Sequence, residues 1–316
     1  MESGQEGEDG SHRGQTTIAP GELYSVFCNR PVSVLPQPAS PRGLQPRSLL
    51  TRKRHYVRKG STPLILDLFN LKGKNALITG SSRGIGAGIA LALAEAGANI
   101  ALHGSRSVPD ESRDAVAATG VRHIELTGDV ADPAVTKSLV DETIAQLGSI
   151  DILVNNAGII RRAPAAEHAE EDWAAVIGVN LNSVFRLSQL AGRHMLERGS
   201  GKIINIASLL SFQGGITVPG YAAAKGGVAQ LTKALANEWA AKGVNVNAIA
   251  PGYYATDNTD ALQKNEERSR QILERIPAGR WGEPSDLGGA AVFLASAASN
   301  YVSGHVLVVD GGWLNR

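Results

Sequence analysis

Residues 76–86 read Ala-Leu-Ile-Thr-Gly-Ser-Ser-Arg-Gly-Ile-Gly, an apolar triplet followed by a turn with three glycines. The triplet predicts a buried strand, and apolar residues continue after the turn at helical spacing, at Ile85, Ile89, Leu93 and Ala96. Because glycine has no Cβ atom, the backbone of such a turn can approach a pyrophosphate closely. Amide groups at the N-terminus of a helix stabilise the negative charge of that ligand. The stretch therefore predicts a dinucleotide-binding turn between a strand and a helix.

Further short apolar segments alternate with helical patterns after this turn. The seven predicted strands are 76–78, 99–102, 123–126, 152–154, 203–207, 244–249 and 306–309. Strands joined by right-handed crossover helices on both faces give a doubly wound α/β fold. We expect a Rossmann-like, seven-stranded parallel sheet in a single domain, residues 67–316, with the dinucleotide at the carboxyl ends of the strands.

Residues 1–66 differ from this domain, because Gly, Ser, Pro and Gln are frequent and apolar periodicity is absent. Such a composition predicts a disordered extension. A second interpretation is a start codon assigned too far upstream, with translation beginning near residues 66–69. The basic run 52–59 is typical of a solvated linker, with contact to an anionic partner as the alternative. Early acidic residues and the lack of an apolar h-region argue against a targeting peptide.

The composition argues against several classes of protein. A formal net charge of +1 and the lack of a basic stripe in residues 67–316 argue against a nucleic-acid partner. The seven histidines show no metal-ligand spacing, so we expect no metal site. No uncharged run is long enough to cross a bilayer, so we expect no membrane partner. The single cysteine, Cys28, cannot form an intrachain disulfide, which favours a cytoplasmic location.

Tyr221 and Lys225 lie four residues apart in Tyr-Ala-Ala-Ala-Lys and share one face of a predicted helix. A free tyrosine titrates near about pH 10, and a neighbouring ammonium group lowers that pKa. The pair therefore predicts a group that transfers protons. Ser208 follows the apolar segment 203–207 at a strand's carboxyl end, where its hydroxyl can hold a substrate carbonyl. The alternative for Tyr221 and Lys225 is an ordinary solvated helix face.

Asn155–Gly158 and Asn180 follow the glycine turn in order, and Ser208, Tyr221 and Lys225 come after them. With this series of motifs, residues 68–316 resemble the short-chain dehydrogenase/reductase family. The resemblance implies a catalytic tetrad of Asn180, Ser208, Tyr221 and Lys225. It also implies a homotetramer.

The family mechanism gives each member of the tetrad a role. Tyr221 is expected to be the general acid/base, and Ser208 to orient the reacting oxygen. Lys225 is expected to bind the nicotinamide ribose and to lower the pKa of the phenol. Asn180 is expected to support a proton-relay water.

Contacts with the cofactor are predicted by the glycine turn and by the resemblance. They are Gly80, Ser82, Arg83, Gly84, Ile85, Gly86, Ser105, Arg106, Asp129, Val130, Asn156, Ala157, Gly158, Tyr221, Lys225, Pro251, Gly252 and Thr256. Ser105 and Arg106 follow the second strand, where an NAD-preferring enzyme usually places a carboxylate for the ribose 2′-hydroxyl. Ser and Arg instead suit a 2′-phosphate, with Arg83 as a second cation. NADP(H) is therefore favoured, and NAD(H) is the alternative.

Polar side chains near the expected mouth favour a sugar acid as substrate. We expect Arg162 to bind its carboxylate, Gln213 a hydroxyl, and Ser208 and Tyr221 the reacting oxygen. Segments 155–162, 202–216, 245–253 and 310–314 are similar to bacterial 2-dehydro-3-deoxy-D-gluconate 5-dehydrogenases, also described as 2-deoxy-D-gluconate 3-dehydrogenases. Reductases of 4-deoxy-5-keto-uronates share much of this pattern, which implies pectin, uronate or alginate catabolism.

Two alternatives to this function belong to different classes of protein. A 3-oxoacyl-[acyl-carrier-protein] reductase has a similar tetrad but admits a thioester arm. A non-catalytic, cofactor-binding regulator can use the same fold.

Overall fold

The computed structural model describes residues 64–316 of the chain. The predicted extension up to residue 63, with Cys28 and the basic run 52–59, lies outside the described residues. A 3₁₀ turn, Ile65–Phe69, crosses the expected domain boundary between residues 66 and 67.

The strands form one parallel sheet. They are β1 (Asn75–Ile78), β2 (Asn99–Gly104), β3 (His123–Thr127), β4 (Ile152–Asn155), β5 (Gly201–Ile206), β6 (Val244–Pro251) and β7 (Val306–Val309). Their order across the sheet is β3-β2-β1-β4-β5-β6-β7, and every neighbouring pair is parallel. This confirms the predicted seven-stranded, doubly wound α/β fold. The predicted strand 203–207 is shifted, because pairing with β6 begins at Gly201 and the strand ends before Ala207.

The helices connect the strands. They are α1 (Gly84–Glu95), α2 (Asp110–Ala117), α3 (Pro133–Leu147), α4 (Glu170–Ile177), α5 (Ser183–Arg198), α6 (Pro219–Trp239), α7 (Asp260–Lys264), α8 (Glu266–Arg275) and α9 (Gly288–Ala295). A π-helical turn, Gly178–Asn182, joins α4 to α5.

Helix α3 illustrates how the sequence sets the ends of a helix. The Asp132 carboxylate accepts a hydrogen bond from the Ala134 N–H at 2.8 Å, and Pro133 occupies the first helical position. Gly148 ends the helix with a left-handed φ of 97°, which glycine adopts without steric cost. The sequence therefore determines both ends of α3, the helix that connects β3 to β4.

The core has a layer on each face of the sheet. Ala76 and Ile78 of β1 pack with α1 and α9, whereas Leu77 packs with α3 and α5. Every residue of β1 is buried, and after Asn75 the strand is a continuous apolar run rather than an alternating pattern. Burying each large apolar side chain contributes about 1.5–3 kcal/mol. The two layers hold the sheet rigid beneath the loops at its carboxyl edge.

A ladder of buried polar side chains crosses the sheet between β4 and β5. The Asn155 Nδ2 donates to Asn205 Oδ1 at 2.8 Å and to Ser188 Oγ at 3.0 Å. The Asn205 Nδ2 in turn donates to Thr232 Oγ1 at 2.9 Å. Asn155 and Asn205 are register partners, so this amide ladder joins the two strands to α5 and α6.

Candidate active site

A cavity of about 880 Å³ opens at the carboxyl ends of the strands, next to the point between β1 and β4 where the strand order reverses. Ligands of open α/β sheets bind at this kind of position. Every predicted cofactor and substrate residue lines the cavity except Arg106. Asn180, predicted as catalytic, is fully buried behind the cavity wall.

The glycine turn forms one wall of the cavity with bare backbone. Gly80 and Gly84 have φ values of 66° and 55°, in the left-handed region that favours glycine. A Cβ atom on Gly86 would lie 2.2 Å from the Gly80 carbonyl oxygen, so no side chain fits there. The Asn156 Nδ2 holds the turn by donating to the carbonyls of Thr79 (3.0 Å) and Gly80 (2.9 Å). This wall and the N-terminus of α1 suit a pyrophosphate.

His103, on β2, supports the same turn and was not predicted from the sequence. Its Nδ1 accepts from the Gly80 N–H at 3.0 Å, and its Nε2 lies 3.0 Å from the Gly128 carbonyl oxygen. The ring is therefore neutral, with its proton on Nε2. Burial lowers the pKa of His103, and this outweighs the effects of the Gly128 bond and Asp129. A single histidine inside an apolar strand carries no motif that signals this role.

The residues predicted to bind a 2′-phosphate are not equivalent in the structure. Ser105 and Arg83 line the cavity, and the Arg83 guanidinium is 3.0 Å from the Asp257 carboxylate in an exposed ion pair. Arg106 is exposed and does not line the cavity, so its contact with a 2′-phosphate stays a prediction. Strand spacing located the end of β2 but not the direction of the side chains that follow it.

Ser208, Tyr221 and Lys225 meet at the end of β5. Ser208 begins a 3₁₀ turn, and its Oγ accepts from the Leu210 N–H at 3.2 Å. The Lys225 ammonium donates to the Ile206 carbonyl at 2.5 Å and lies 5.6 Å from the centroid of the Tyr221 ring. The helix spacing and the strand end therefore bring the predicted hydroxyl, phenol and ammonium groups together.

The pKa of Tyr221 departs from the expected direction. Burial raises the pKa of Tyr221, while the Ser208 hydroxyl and the charge of Arg162 act to lower it. Burial also lowers the pKa of Lys225 to about 8. The Lys225 ammonium, expected to lower the pKa of the phenol, is bonded to the Ile206 carbonyl, and the charge of Arg162 also acts to lower that pKa. The role of Lys225 stays a prediction.

Asn180 lies in the π-helical turn and fixes the segment that follows β4. Its Oδ1 accepts from the Ile159 N–H at 2.8 Å, and its Nδ2 donates to the Ile159 carbonyl at 2.8 Å. The Oδ1 and Nδ2 atoms of Asn180 are therefore both bonded to the backbone of Ile159. The side chain positions the Gly158–Ile160 edge of the cavity rather than facing into it.

The cavity lining also includes arginines and an aromatic wall, formed by Tyr253 and Trp313. Their ring centroids are 4.6 Å apart, and the Arg275 guanidinium carbon lies 4.0 Å above the Trp313 ring. Gln213, predicted to bind a hydroxyl, lines the cavity, and its Oε1 accepts from Trp313 Nε1 at 3.2 Å, which leaves its Nε2 able to donate. Arg162 lines the cavity as predicted. Trp313 was not predicted as a site residue.

Residues 64–316 contain neither a candidate membrane-spanning helix nor a candidate metal site. None of the described helices has the length and apolarity needed to cross a membrane. No group of three His, Cys, Asp or Glu side chains in this range is arranged to hold a metal ion.

Comparisons with known proteins agree with this geometry. A family model described as enoyl-(acyl carrier protein) reductase matches residues 80–314. The 2-dehydro-3-deoxy-D-gluconate 5-dehydrogenase of Bacillus subtilis (strain 168) is 58% identical over 79% of this chain and 98% of its own length. The enzyme of the same name from Escherichia coli (strain K12) is 54% identical over 80% of this chain and 100% of its own length.

A solved structure extends the comparison. A gluconate 5-dehydrogenase from Burkholderia cenocepacia J2315, in complex with NADP and tartrate, is 45% identical to this chain, with a TM-score of 0.76. The match covers 80% of this chain and 100% of that protein.

Proposed function

The chain belongs to the short-chain dehydrogenase/reductase family, and from that premise we propose that it is an NADP(H)-dependent oxidoreductase of a keto-deoxy sugar acid. It interconverts a hydroxyl and a ketone on a six-carbon acid. One observation carries the proposal: the Tyr221 phenol, the glycine turn and two arginines without a carboxylate partner in residues 64–316, Arg162 and Arg275, share one cavity. A proton donor, a dinucleotide cradle and an anion-binding end are what this reaction needs.

The cofactor proposal depends on the bare backbone of the glycine turn. Gly80, Gly84 and Gly86 leave room for a pyrophosphate at the N-terminus of α1. Arg83 and Ser105 supply a cation and a hydroxyl for a 2′-phosphate. The Burkholderia relative is in complex with NADP, which supports NADP(H) over NAD(H).

We assign the chemical step to the side chains at the end of β5. When bound, the reduced cofactor supplies a hydride to the carbonyl carbon. Tyr221 donates its phenolic proton to the carbonyl oxygen, and burial keeps the phenol protonated by raising its pKa. The Ser208 Oγ accepts from Leu210, so its own hydrogen is free to donate to the same oxygen. Lys225, whose ammonium lies 5.6 Å from the centroid of the Tyr221 ring, supplies positive charge near the phenolate as it forms. In oxidation the proton moves in the opposite direction.

The sugar-acid assignment is supported by the relatives and by the charge of the cavity. Arg162 and Arg275 both line the cavity and add positive charge to it. The Bacillus subtilis relative is named for 2-dehydro-3-deoxy-D-gluconate, and a 4-deoxy-5-keto-uronate is a second substrate of the same chemical class.

We also propose that residues 67–316 form the catalytic domain of a cytoplasmic homotetramer. Exposed apolar side chains on α4 and α5, Trp173 and Phe185, support contact between copies. Size-exclusion chromatography with light scattering tests the assembly, and a monomer at micromolar concentration would reject it.

The function is tested by initial rates of the purified full chain with NADPH and with NADH. The substrates are 2,5-diketo-3-deoxygluconate, 4-deoxy-5-keto-uronate and an acetoacetyl thioester. We expect turnover of a sugar acid with NADPH. Tyr221→Phe keeps the ring but removes the proton, so it should lose at least about 10²-fold in kcat while still binding NADPH.

Two results would overturn the function. Turnover of the thioester alone would identify an acyl reductase. Unchanged turnover in Tyr221→Phe would remove Tyr221 from the chemical step.

A further inference from the structure

We propose that Arg275 anchors the substrate carboxylate at the aromatic wall, and that Arg162 instead acts at the reacting end beside Tyr221. The proposal deepens the proposed function and rests on it, because it assigns the charged group of a sugar acid. It changes the role predicted for Arg162 from the sequence.

The arginines that line the cavity differ in their partners. Arg83 is paired with Asp257 at 3.0 Å and Arg161 with Asp172 at 3.1 Å. The Arg268 guanidinium donates to Gln271 Oε1 at 3.1 Å. Within residues 64–316, no carboxylate lies within ion-pair distance of Arg162 or Arg275. These two cations are therefore free to bind a substrate carboxylate.

The two free arginines are held by different elements. Arg162 precedes Ala163, whose N–H donates to the Thr217 carbonyl at 3.0 Å, so Arg162 lies next to the segment that leads into α6 and Tyr221. Its charge also acts to lower the pKa of Tyr221. Arg275 is the last residue of α8 and lies over Trp313. In an extended six-carbon acid, C1 and C5 are roughly 5 Å apart, since each C–C bond is about 1.5 Å. The carboxylate and a reacting C5 therefore need separate contacts.

Trp313 is a rigid platform for Arg275. Its indole N–H is bonded to Gln213, and its ring is buried with Leu209 and Ile272. The Asp310 carboxylate accepts from the N–H groups of Gly312 and Leu314, both at 2.8 Å, and so holds the turn that carries Trp313. A guanidinium held over an aromatic face keeps the N–H groups at its edge available for a carboxylate. Gln213 is thus a positioning residue that acts through Trp313.

The test compares a sugar acid with its uncharged methyl ester. Initial rates of NADP⁺ reduction are measured with 2-dehydro-3-deoxy-D-gluconate and with the ester, for the wild type, Arg275→Met, Arg162→Met and Arg270→Met. Arg270 is the matched control, because it lies on the same helix but pairs at the surface with Glu267 and Glu274.

We expect Arg275→Met to raise the KM for the acid by about tenfold or more, as for one lost charged hydrogen bond. The preference for acid over ester, as a ratio of kcat/KM, should fall towards one. Arg162→Met should lower kcat for acid and ester alike and keep the preference, and Arg270→Met should behave as the wild type. The proposal is overturned if Arg275→Met keeps the preference for the acid, or if Arg162→Met is the variant that loses it.

A binding measurement separates this proposal from the proposed function. If the wild type oxidises no sugar acid, the proposed function fails, and calorimetric titration of the NADPH complex with 2-dehydro-3-deoxy-D-gluconate replaces the kinetics. Binding that is lost in Arg275→Met and kept in Arg270→Met supports the anchor. Equal binding in both variants, or no binding to the wild type, overturns it. Thermal unfolding of each variant checks that it is folded.

Discussion

Asn180 and the backbone of Ile159 form a closed pair of hydrogen bonds, each 2.8 Å long. The amide belongs to a π-helical turn between α4 and α5, and the backbone segment leads from β4 to Arg161 and Arg162. One buried side chain therefore fixes a cavity edge that has no regular structure of its own.

Asn180→Ala should lower the free energy of unfolding by about 1–3 kcal/mol, because two backbone groups of Ile159 lose their partners. It should also lower kcat, since Arg162 follows the released segment. Urea unfolding and initial rates measure both effects. Asn182→Ala removes an exposed amide from the same turn and serves as the control. Equal stability of the two variants would contradict the prediction.

Gly86→Ala should impair cofactor binding, since its Cβ atom would lie 2.2 Å from Gly80 O and 2.4 Å from Asn156 Nδ2. The forced shift of the turn should destabilise the protein by about 1–3 kcal/mol. NADPH titration by fluorescence measures the binding. The control is Gly289→Ala in α9, where nothing lies within 4 Å of the new Cβ and alanine is favoured by up to about 1 kcal/mol. Wild-type NADPH affinity in Gly86→Ala would exclude the close approach.

Arg83→Gln should raise the KM for NADPH by about tenfold and leave that for NADH nearly unchanged, because it removes one charged contact with a 2′-phosphate. Asp257→Asn should not weaken NADPH binding, since it releases Arg83 from its ion pair. Initial rates at varied cofactor concentration measure both. Arg106→Gln decides between the two predicted cations. If it raises the KM for NADPH more than Arg83→Gln does, Arg106 rather than Arg83 binds the 2′-phosphate.

The oxidation rate should rise with pH, because the Tyr221 phenol must lose its proton before it can accept one from the substrate hydroxyl. Arg162 acts to lower the pKa of Tyr221, so Arg162→Met should move this rise to higher pH. The kcat/KM for oxidation between pH 6 and 11 gives the midpoint. Arg161→Met is the control, since Arg161 is paired with Asp172. Identical midpoints in the wild type and Arg162→Met would show that Arg162 does not act on the phenol.

His103 should make stability depend on pH. Burial lowers its folded pKa, whereas in the unfolded chain it titrates near about 6.5. The unfolded state therefore binds more protons below that pH, so the contribution of neutral His103 is present above pH 6.5 and declines as the pH falls. His103→Gln should lower the free energy of unfolding at pH 8, and it should lower it less at pH 5.5. Urea unfolding measures both values. A stability difference that is equal at both pH values would contradict this account.

The fold could be predicted from local patterns because most strands of the sheet are short segments rich in apolar residues. The glycine turn, Ser208, Tyr221 and Lys225 could be placed because their positions depend on strand ends and helix spacing. Tyr221 and Lys225 share α6, and Ser208 directly follows the apolar run of β5.

Other features depend on contacts between residues that are distant in sequence. The Gln213–Trp313 bond joins residues 100 positions apart, and His103 on β2 reaches Gly80 at the end of the neighbouring strand, β1. Arg106 could not be excluded from the cavity, because sequence does not give the direction of a loop side chain. The raised pKa of Tyr221 depends on burial by many elements at once.

The amide ladder has a consequence for how the chain assembles correctly. Where a strand is buried on both faces, sliding it by one residue still leaves apolar side chains inside, so hydrophobicity alone discriminates weakly against a shifted sheet. Asn155 opposite Asn205 removes that ambiguity, because a slip would bury two amides without partners. The Asn155–Asn205 pair therefore favours one register of β4 with β5. This register fixes the position of Ser208, after β5, relative to Asn156, after β4.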